Sequence, residues 1–351
     1  MPQKFAADPA AVREFVLDAV QEQRPHMAKA IQEKFGVSRP TAHNYLKALV
    51  EDGLIARVGM GRYELVHEKH RFLHRVQGLK EDEVWTNDIA PRLRGLPRNV
   101  IDLWHYGCTE MINNVIDHSG SDVILIDIDR SPLSTQIAVD DEGVGIFRKI
   151  ATALDLEDER HAVLELSKGK VTTDPDNHTG EGIYFSSRAF DVFRILSGGV
   201  YFQHQRVKDE DWILGDEIPE DEPNGTGVYM TLANDSTRTL RQVFDEYATD
   251  RDDYRFDRTV VPVKLLQYGD DRLVSRSQAR RLMNRFELFR VVILDFQGVD
   301  SIGQAFADEV FRVFRSRHPG IDIVPINANE EVVRMISRVS AGHPPPFHPT
   351  A

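Results

Sequence analysis

Thr109-Glu110-Met111-Ile112-Asn113-Asn114-Val115-Ile116-Asp117-His118 and, further on, Asp140-Asp141-Glu142-Gly143-Val144-Gly145-Ile146 are the passages on which the fold turns. The first closes a long helical stretch over Asn99–His118. Residues 110, 114 and 118 stand four apart, so a helix sets Glu, Asn and His on one face. Alone, such a stripe is only a solvated face. Here it follows an apolar helix and precedes two alternating stretches, Asp122–Asp127 and Thr135–Val139, that read as strands. The second strand runs into the Asp-x-Gly-x-Gly box, and a polar helix, two strands and that box in this order are far more specific than the box alone.

Working outward, the chain has 351 residues, with 43 Lys+Arg against 56 Asp+Glu and a net charge of −13. At roughly 150 residues per domain, two or three domains are expected. The single cysteine, Cys108, forms no internal disulfide and excludes a Cys-rich zinc site; beside the motif on an apolar helix it reads as a packed core thiol. No apolar run approaches the roughly 18 residues of a membrane span, and Met1-Pro2-Gln3-Lys4 lacks a signal peptide's apolar stretch. A soluble, cytoplasmic protein without membrane contact is expected. Residues 1–76 hold twelve Lys/Arg and nine Asp/Glu, a balance of +3, which leaves −16 for the remainder. A basic head on an acidic body suits a DNA-binding head and argues against nucleic acid wrapping the whole molecule.

Residues 1–68 read as three helices and a hairpin. Ala10–Gln21 and His26–Phe35 are the first two helices. Ser38 caps the third, which runs to Glu51 with Pro40 in its first turn. Leu54–Val58 and Arg62–Val66 then alternate around Gly59-Met60-Gly61. This arrangement resembles the winged helix-turn-helix of bacterial regulators. The resemblance implies double-stranded DNA as partner, with Arg39, Thr41, His43, Asn44 and Lys47 facing the major groove and Arg57 and Arg62 on the wing. A winged helix used only for protein contacts is the bland alternative.

Residues 73–250 carry the remaining boxes. After a lid over 146–179 comes His178-Thr179-Gly180-Glu181-Gly182-Ile183, opening a helix through Phe190; Gly225-Thr226-Gly227-Val228-Tyr229-Met230 follows on a closing strand. Four boxes in this order resemble the GHKL (Bergerat-fold) ATP-binding family, closest to the anti-sigma-factor serine kinases. The resemblance implies ATP and Mg2+ as cofactors. It assigns Asp141 to the adenine amine, Gly143 and Gly145 to close approach to the base, Asn114 to magnesium, and Gly180 and Gly182 to phosphate at a helix start. Thr226 falls in the last box, and Lys168 and Lys170 in the lid are candidates for the terminal phosphates. Glu110 stands where the family has its general base. The second glycine box departs from that of sensor kinases. His70 and His74, read on a basic helical stretch, lack the neighbours of a phosphoacceptor, so a two-component histidine kinase is not expected.

Residues 257–342 alternate strands and helices and read as an α/β layer. Asp295–Phe314 resembles STAS-like domains of anti-sigma-factor antagonists, in which a serine at the start of a helix is the kinase target. Ser301 matches that position, so it is either a candidate phosphoacceptor or a plain helix cap. The tail 343–351 follows. The expected architecture is therefore multidomain α+β: a winged helix, a Bergerat α/β sandwich and a STAS-like α/β domain. The expected function is an ATP-Mg-binding regulatory protein and homodimer that hydrolyses ATP or transfers its gamma-phosphate to serine, so switching DNA binding or a protein partner of the STAS-like domain. The alternative is a DNA-binding transcriptional regulator that senses ATP without catalysis.

Overall fold

The computed structural model describes residues 7–172, 180–206, 212–215, 225–248, 256–267 and 272–340. His178 and Thr179 of the second glycine box, the end of the lid and the 343–351 tail lie outside them.

Local chemistry sets the head. Asp8 caps α1 (Pro9–Gln21) by accepting from the Ala10 N–H. Gly36, at φ +65°, ends α2 (Met27–Phe35), since a left-handed residue there closes the last turn and only glycine takes it without strain. Ser38 caps α3 (Arg39–Glu51) by accepting from the Thr41 N–H. The wing is a hairpin of β1 (Ile55–Gly59) and β2 (Arg62–Leu65). Val12, Val16, Ile31, Leu46 and Ile55 form a small core of their own, against which Leu133 of the following domain also packs.

Only two residues separate β2 from β3 (Glu68–Arg75), the first strand of the next sheet. His70 and His74 are thus on a strand, correcting the helical expectation. The alternating burial of this segment has period two, and it pairs with its neighbour over all eight residues. After α4 (Glu81–Val84) comes α5 (Arg98–Asn114), prolonged by a wider π turn over Val115–Ser119. Then follow β4 (Val123–Arg130), β5 (Ser134–Asp141), α6 (Ile146–Ala153), α7 (Glu159–Lys168), α8 (Gly182–Ala189), β6 (Val192–Ser197), β7 (Val200–Gln205), β8 (Trp212–Gly215), β9 (Thr226–Ala233) and α9 (Leu240–Asp245). The seven strands lie in the order β3-β4-β5-β9-β6-β7-β8, every pair antiparallel. Along β4, Ile124, Ile126 and Ile128 are buried in the core with α5, whereas Asp127 and Asp129 point away and pair with Arg71, His67 and Lys69. One face is therefore apolar and helix-covered and the other polar. The insertion of β9 between β5 and β6 sets Asp141 opposite Thr226 in register.

The last domain is a parallel sheet, β10 (Arg258–Pro262), β11 (Val291–Asp295) and β12 (Asp322–Ile326), in that order. After Pro262 the chain leaves the sheet in a 3-10 turn, Val263–Leu266. Ser275 caps α10 (Arg276–Met283) in a reciprocal box with Gln278. α11 (Gln304–Asp308) runs through a π segment, Glu309–Phe314, into α12 (Arg315–Arg317), and α13 (Glu330–Val339) is the final described element. The cap of α11 is Gly303, without a side-chain bond, so Ser301 is not the helix cap.

The second and third domains share one continuous core. At their joint Lys168, with a side chain 0% exposed, pairs with buried Glu165 at 2.7 Å. It also donates to the carbonyls of Arg281 and Asn284, at the end of α10. Burial pulls the Lys168 ammonium down to about 8, against the raising effect of Glu165, so desolvation is not fully offset by the pairing. Lys168→Met alone leaves the buried Glu165 carboxylate with only the longer contacts to Arg285, at 3.4 Å, and the Asn284 amide, at 3.3 Å, and is expected to cost about 3 kcal/mol. Glu165→Gln/Lys168→Met, which removes both charges, is expected to recover most of that loss in urea unfolding. A double variant no more stable than the single one would refute this account.

Candidate functional site

A cavity of about 290 Å³ opens beneath the apolar face of the sheet, at the small end of the ~300–1000 Å³ typical of ligand sites. Its walls come from α5 and its π turn, the β5–α6 turn, the end of α7, the start of α8 and β9. Met111, Val139, Ile150 and Val228 make it largely apolar. Of the ten nucleotide-site residues expected from the sequence, seven line it: Glu110, Asn114, Asp141, Gly145, Gly180, Gly182 and Thr226. The helical spacing of 110 and 114 and the pairing of Asp141 with Thr226 bring these distant segments together.

Each polar group has a definite setting. The Asp141 carboxylate accepts from the Gly143 N–H at 2.7 Å and is held above the usual carboxylate range by burial, which the backbone N–H groups of Gly143 and Thr226 oppose. The Thr226 hydroxyl accepts from the Ile146 N–H at 3.0 Å and so fixes the start of α6. The Asn114 amide nitrogen is buried without a hydrogen-bond partner, a donor left over for a ligand. Gly182 leaves room for the Glu110 side chain: a Cβ there would lie 2.0 Å from Glu110 Oε2. Gly143 is a closer constraint, since a Cβ would lie 2.1 Å from the Ser119 carbonyl oxygen, which is backbone.

Three expected residues lie elsewhere. Gly143 stands behind Asp141 and does not line the cavity. Lys168 is turned into the domain joint, and Lys170 donates to the Leu288 carbonyl and lies 5.0 Å from the centre of the Phe289 ring. A lid lysine aimed at phosphate is thus corrected: burial against the third domain captures both side chains. The lysine in the cavity is Lys149, which donates to the His118 carbonyl at 2.7 Å. It sits one turn after the Asp-x-Gly-x-Gly box, in a helix whose alignment with the cavity no local pattern shows. His118, already on the Glu/Asn/His stripe, lines the cavity with Lys149 and Ser119. Ser301 is half-buried and outside it.

On the head, Arg39, His43, Asn44 and Lys47 are exposed on one side of α3, and Arg57 and Arg62 are exposed on the wing. Thr41 is half-buried and shares a 2.8 Å hydrogen bond with Ser38, so its hydroxyl serves the cap.

The IclR helix-turn-helix domain family matches residues 16–59. A family described as a STAS-like domain of unknown function matches residues 278–333. The chain is thus a multidomain α+β protein with a helix-turn-helix head of DNA-binding-regulator type and a STAS-like third domain suited to protein partners. No curated protein matches it. A solved structure named for the GntR family of transcriptional regulators aligns over 66% of this chain and 93% of that one, at 11% identity and a TM-score of 0.13, too low to bear on the fold.

These matches overturn the expected membership of the GHKL family and the kinase or ATPase activity drawn from it: the family identified at the head is a regulator's. Among the described residues no group of three His, Cys, Asp or Glu side chains could hold a metal ion. With the enzyme reading go Glu110 as general base and Ser301 as phosphoacceptor. No helix of the described residues is long and apolar enough to cross a membrane.

The two glycines give separable outcomes. Gly143→Ala is expected to lower the melting temperature by several degrees, because backbone must move. Gly182→Ala should leave it nearly unchanged, because only the end of Glu110 shifts; equal losses in thermal unfolding would refute the assignment. A second expectation concerns Asp140, on the opposite face from Asp141. Burial pushes its carboxyl up to about 6, against the lowering effect of the Tyr229 hydroxyl. Between pH 4 and 6 the native state then holds a proton that the unfolded chain has lost, so this residue makes stability fall as pH rises. Asp140→Asn should flatten that slope in urea midpoints measured across the window; an unchanged slope would count against the burial argument.

Proposed function

We propose that the chain is a DNA-binding transcriptional regulator whose middle domain takes up an adenine nucleotide as an effector and does not turn it over. The observation that carries this reading is the cavity itself. It has an Asp141 carboxylate among apolar walls and glycines where a flat ring must approach, and Asn114 carries a leftover buried donor. A purine suits these features: its faces are apolar, and its exocyclic amine donates to a carboxylate. Lys149, beside His118, supplies positive charge for the phosphate end. In this reading the middle α/β sandwich is of Bergerat type in shape, without phosphotransfer.

The head supplies the output. Arg39, His43, Asn44 and Lys47 enter the major groove of double-stranded DNA, and Arg57 and Arg62 hold the backbone beside it. Two copies act as a homodimer on paired half-sites, in the cytoplasm, and the STAS-like domain meets a protein partner.

ATP titrated into the full chain is expected to bind saturably and to change affinity for a selected DNA site by about fivefold or more, with no phosphate released. Asp141→Ala should abolish the ATP effect and spare DNA binding. Arg39→Ala/Lys47→Ala should weaken DNA binding and reduce its salt dependence by about two phosphate contacts. Phosphate release proportional to protein concentration, or ATP binding that leaves DNA affinity unchanged, would sink the proposal.

A further inference from the structure

The wall of the cavity is one segment thick, and its far side is the STAS-like domain. Within residues 165–172, Leu166, Val171 and Thr172 line the cavity. Glu165, Lys168 and Lys170, from the same stretch, hold the third domain instead. Lys168 bonds Glu165 and the carbonyls of Arg281 and Asn284, Lys170 bonds the Leu288 carbonyl, and Arg285 reaches back to Glu165 at 3.4 Å and to the carbonyls of Gly169 and Lys170. The Thr259 hydroxyl, at the start of β10, donates to the Lys168 carbonyl at 2.7 Å. Gly169, at φ +81°, lets the chain turn here, and a Cβ on it would lie 2.5 Å from the Phe256 ring. The segment therefore cannot shift on one side without disturbing the other.

We propose that this segment links the effector cavity to the STAS-like domain, so that a nucleotide in the cavity tightens the turn after α10 and the surface built on it. The inference rests on the nucleotide reading above and adds the route by which the third domain senses it. The sign follows from the shared backbone. A ligand that orders Leu166, Val171 and Thr172 also orders the peptide units of 168–170, to which Arg285 and Thr259 are bonded. By reciprocity, anything that loosens the joint weakens the ligand.

The test is hydrogen exchange on the full chain with and without ATP. In the wild type, ATP is expected to slow exchange over 276–289 more than over 322–339, which belongs to the same domain but lies away from the joint. In Glu165→Gln/Lys168→Met, neither of whose positions lines the cavity, the excess protection over 276–289 should vanish. Protection at 182–189 should remain, and ATP affinity should fall about five- to tenfold. Lys170→Met, at a half-buried position, should give the same changes in weaker form and covers the case in which the double variant fails to fold. Protection at 182–189 with none in excess at 276–289 in the wild type overturns this inference and leaves the nucleotide reading standing. Excess protection that survives in both variants overturns the assigned route. No protection anywhere overturns the nucleotide reading and this inference with it.

Discussion

Packing of residues 165–172 between a cavity and a neighbouring domain is the constraint around which the second and third domains are arranged. The segment must turn sharply, carry apolar side chains to one side and ammonium groups to the other, and pass within contact distance of Phe256 and Tyr184. Only glycine at 169 satisfies the last condition, since any side chain would overlap both rings. The aromatic cluster of Tyr184, Phe185, Tyr247 and Phe256 then fills the space behind it, with ring centres 4.4 to 6.2 Å apart. The cluster reaches the third domain through Phe256, whose ring centre lies 5.4 Å from that of Phe289.

The electrostatics of the joint point the same way. A buried Lys–Glu pair stabilises a fold only if attraction exceeds the cost of removing both ions from water, and here burial lowers the affinity of Lys168 for its proton against the pull of Glu165. Two apolar residues of similar volume often hold a core as well as such a pair. What they would not do is fix which carbonyls meet which side chains. Lys168 and Arg285 tie individual backbone atoms across the joint, and so define a register between the cavity wall and α10.

Much of the fold was legible in the sequence because its signals are local. The head's three helices follow from Ser38, Pro40, Gly36 and the apolar stripe, and the paired strands β4 and β5 from strict alternation. The clustering of Glu110, Asn114, Asp141, Gly182 and Thr226 was legible through their order in boxes. Three things were not. The histidines of β3 were misread as helical because a strand with one charged face gives a weak apolar pattern. The lid lysines were misassigned because a sequence shows a cation and not what will bury it. Lys149 was missed because its position depends on how α6 is set by Thr226 and Ser197, residues far along the chain. The family resemblance itself went too far: similar boxes implied an enzyme, whereas the family that matches at the head is a regulator's and the one at the third domain is a STAS-like domain of unknown function.

The connection between the head and the sheet bears on how a regulator of this build could pass a signal to DNA. Two residues, 66 and 67, separate the wing from β3, and this short span is pinned on both sides. Val66 donates to the Leu54 carbonyl inside the head, while the His67 ring lies 2.5 Å from Asp129 on β4. Leu133, in the turn between β4 and β5, packs against the head's own core. A linker of this length with contacts at both ends leaves little freedom for independent rotation. Since β5 carries Asp141 at one end and leaves the Leu133 turn at the other, the strand that floors the cavity also touches the head. Movement of that strand by a ligand would therefore reach the head's core through packing, without any need for a flexible tether.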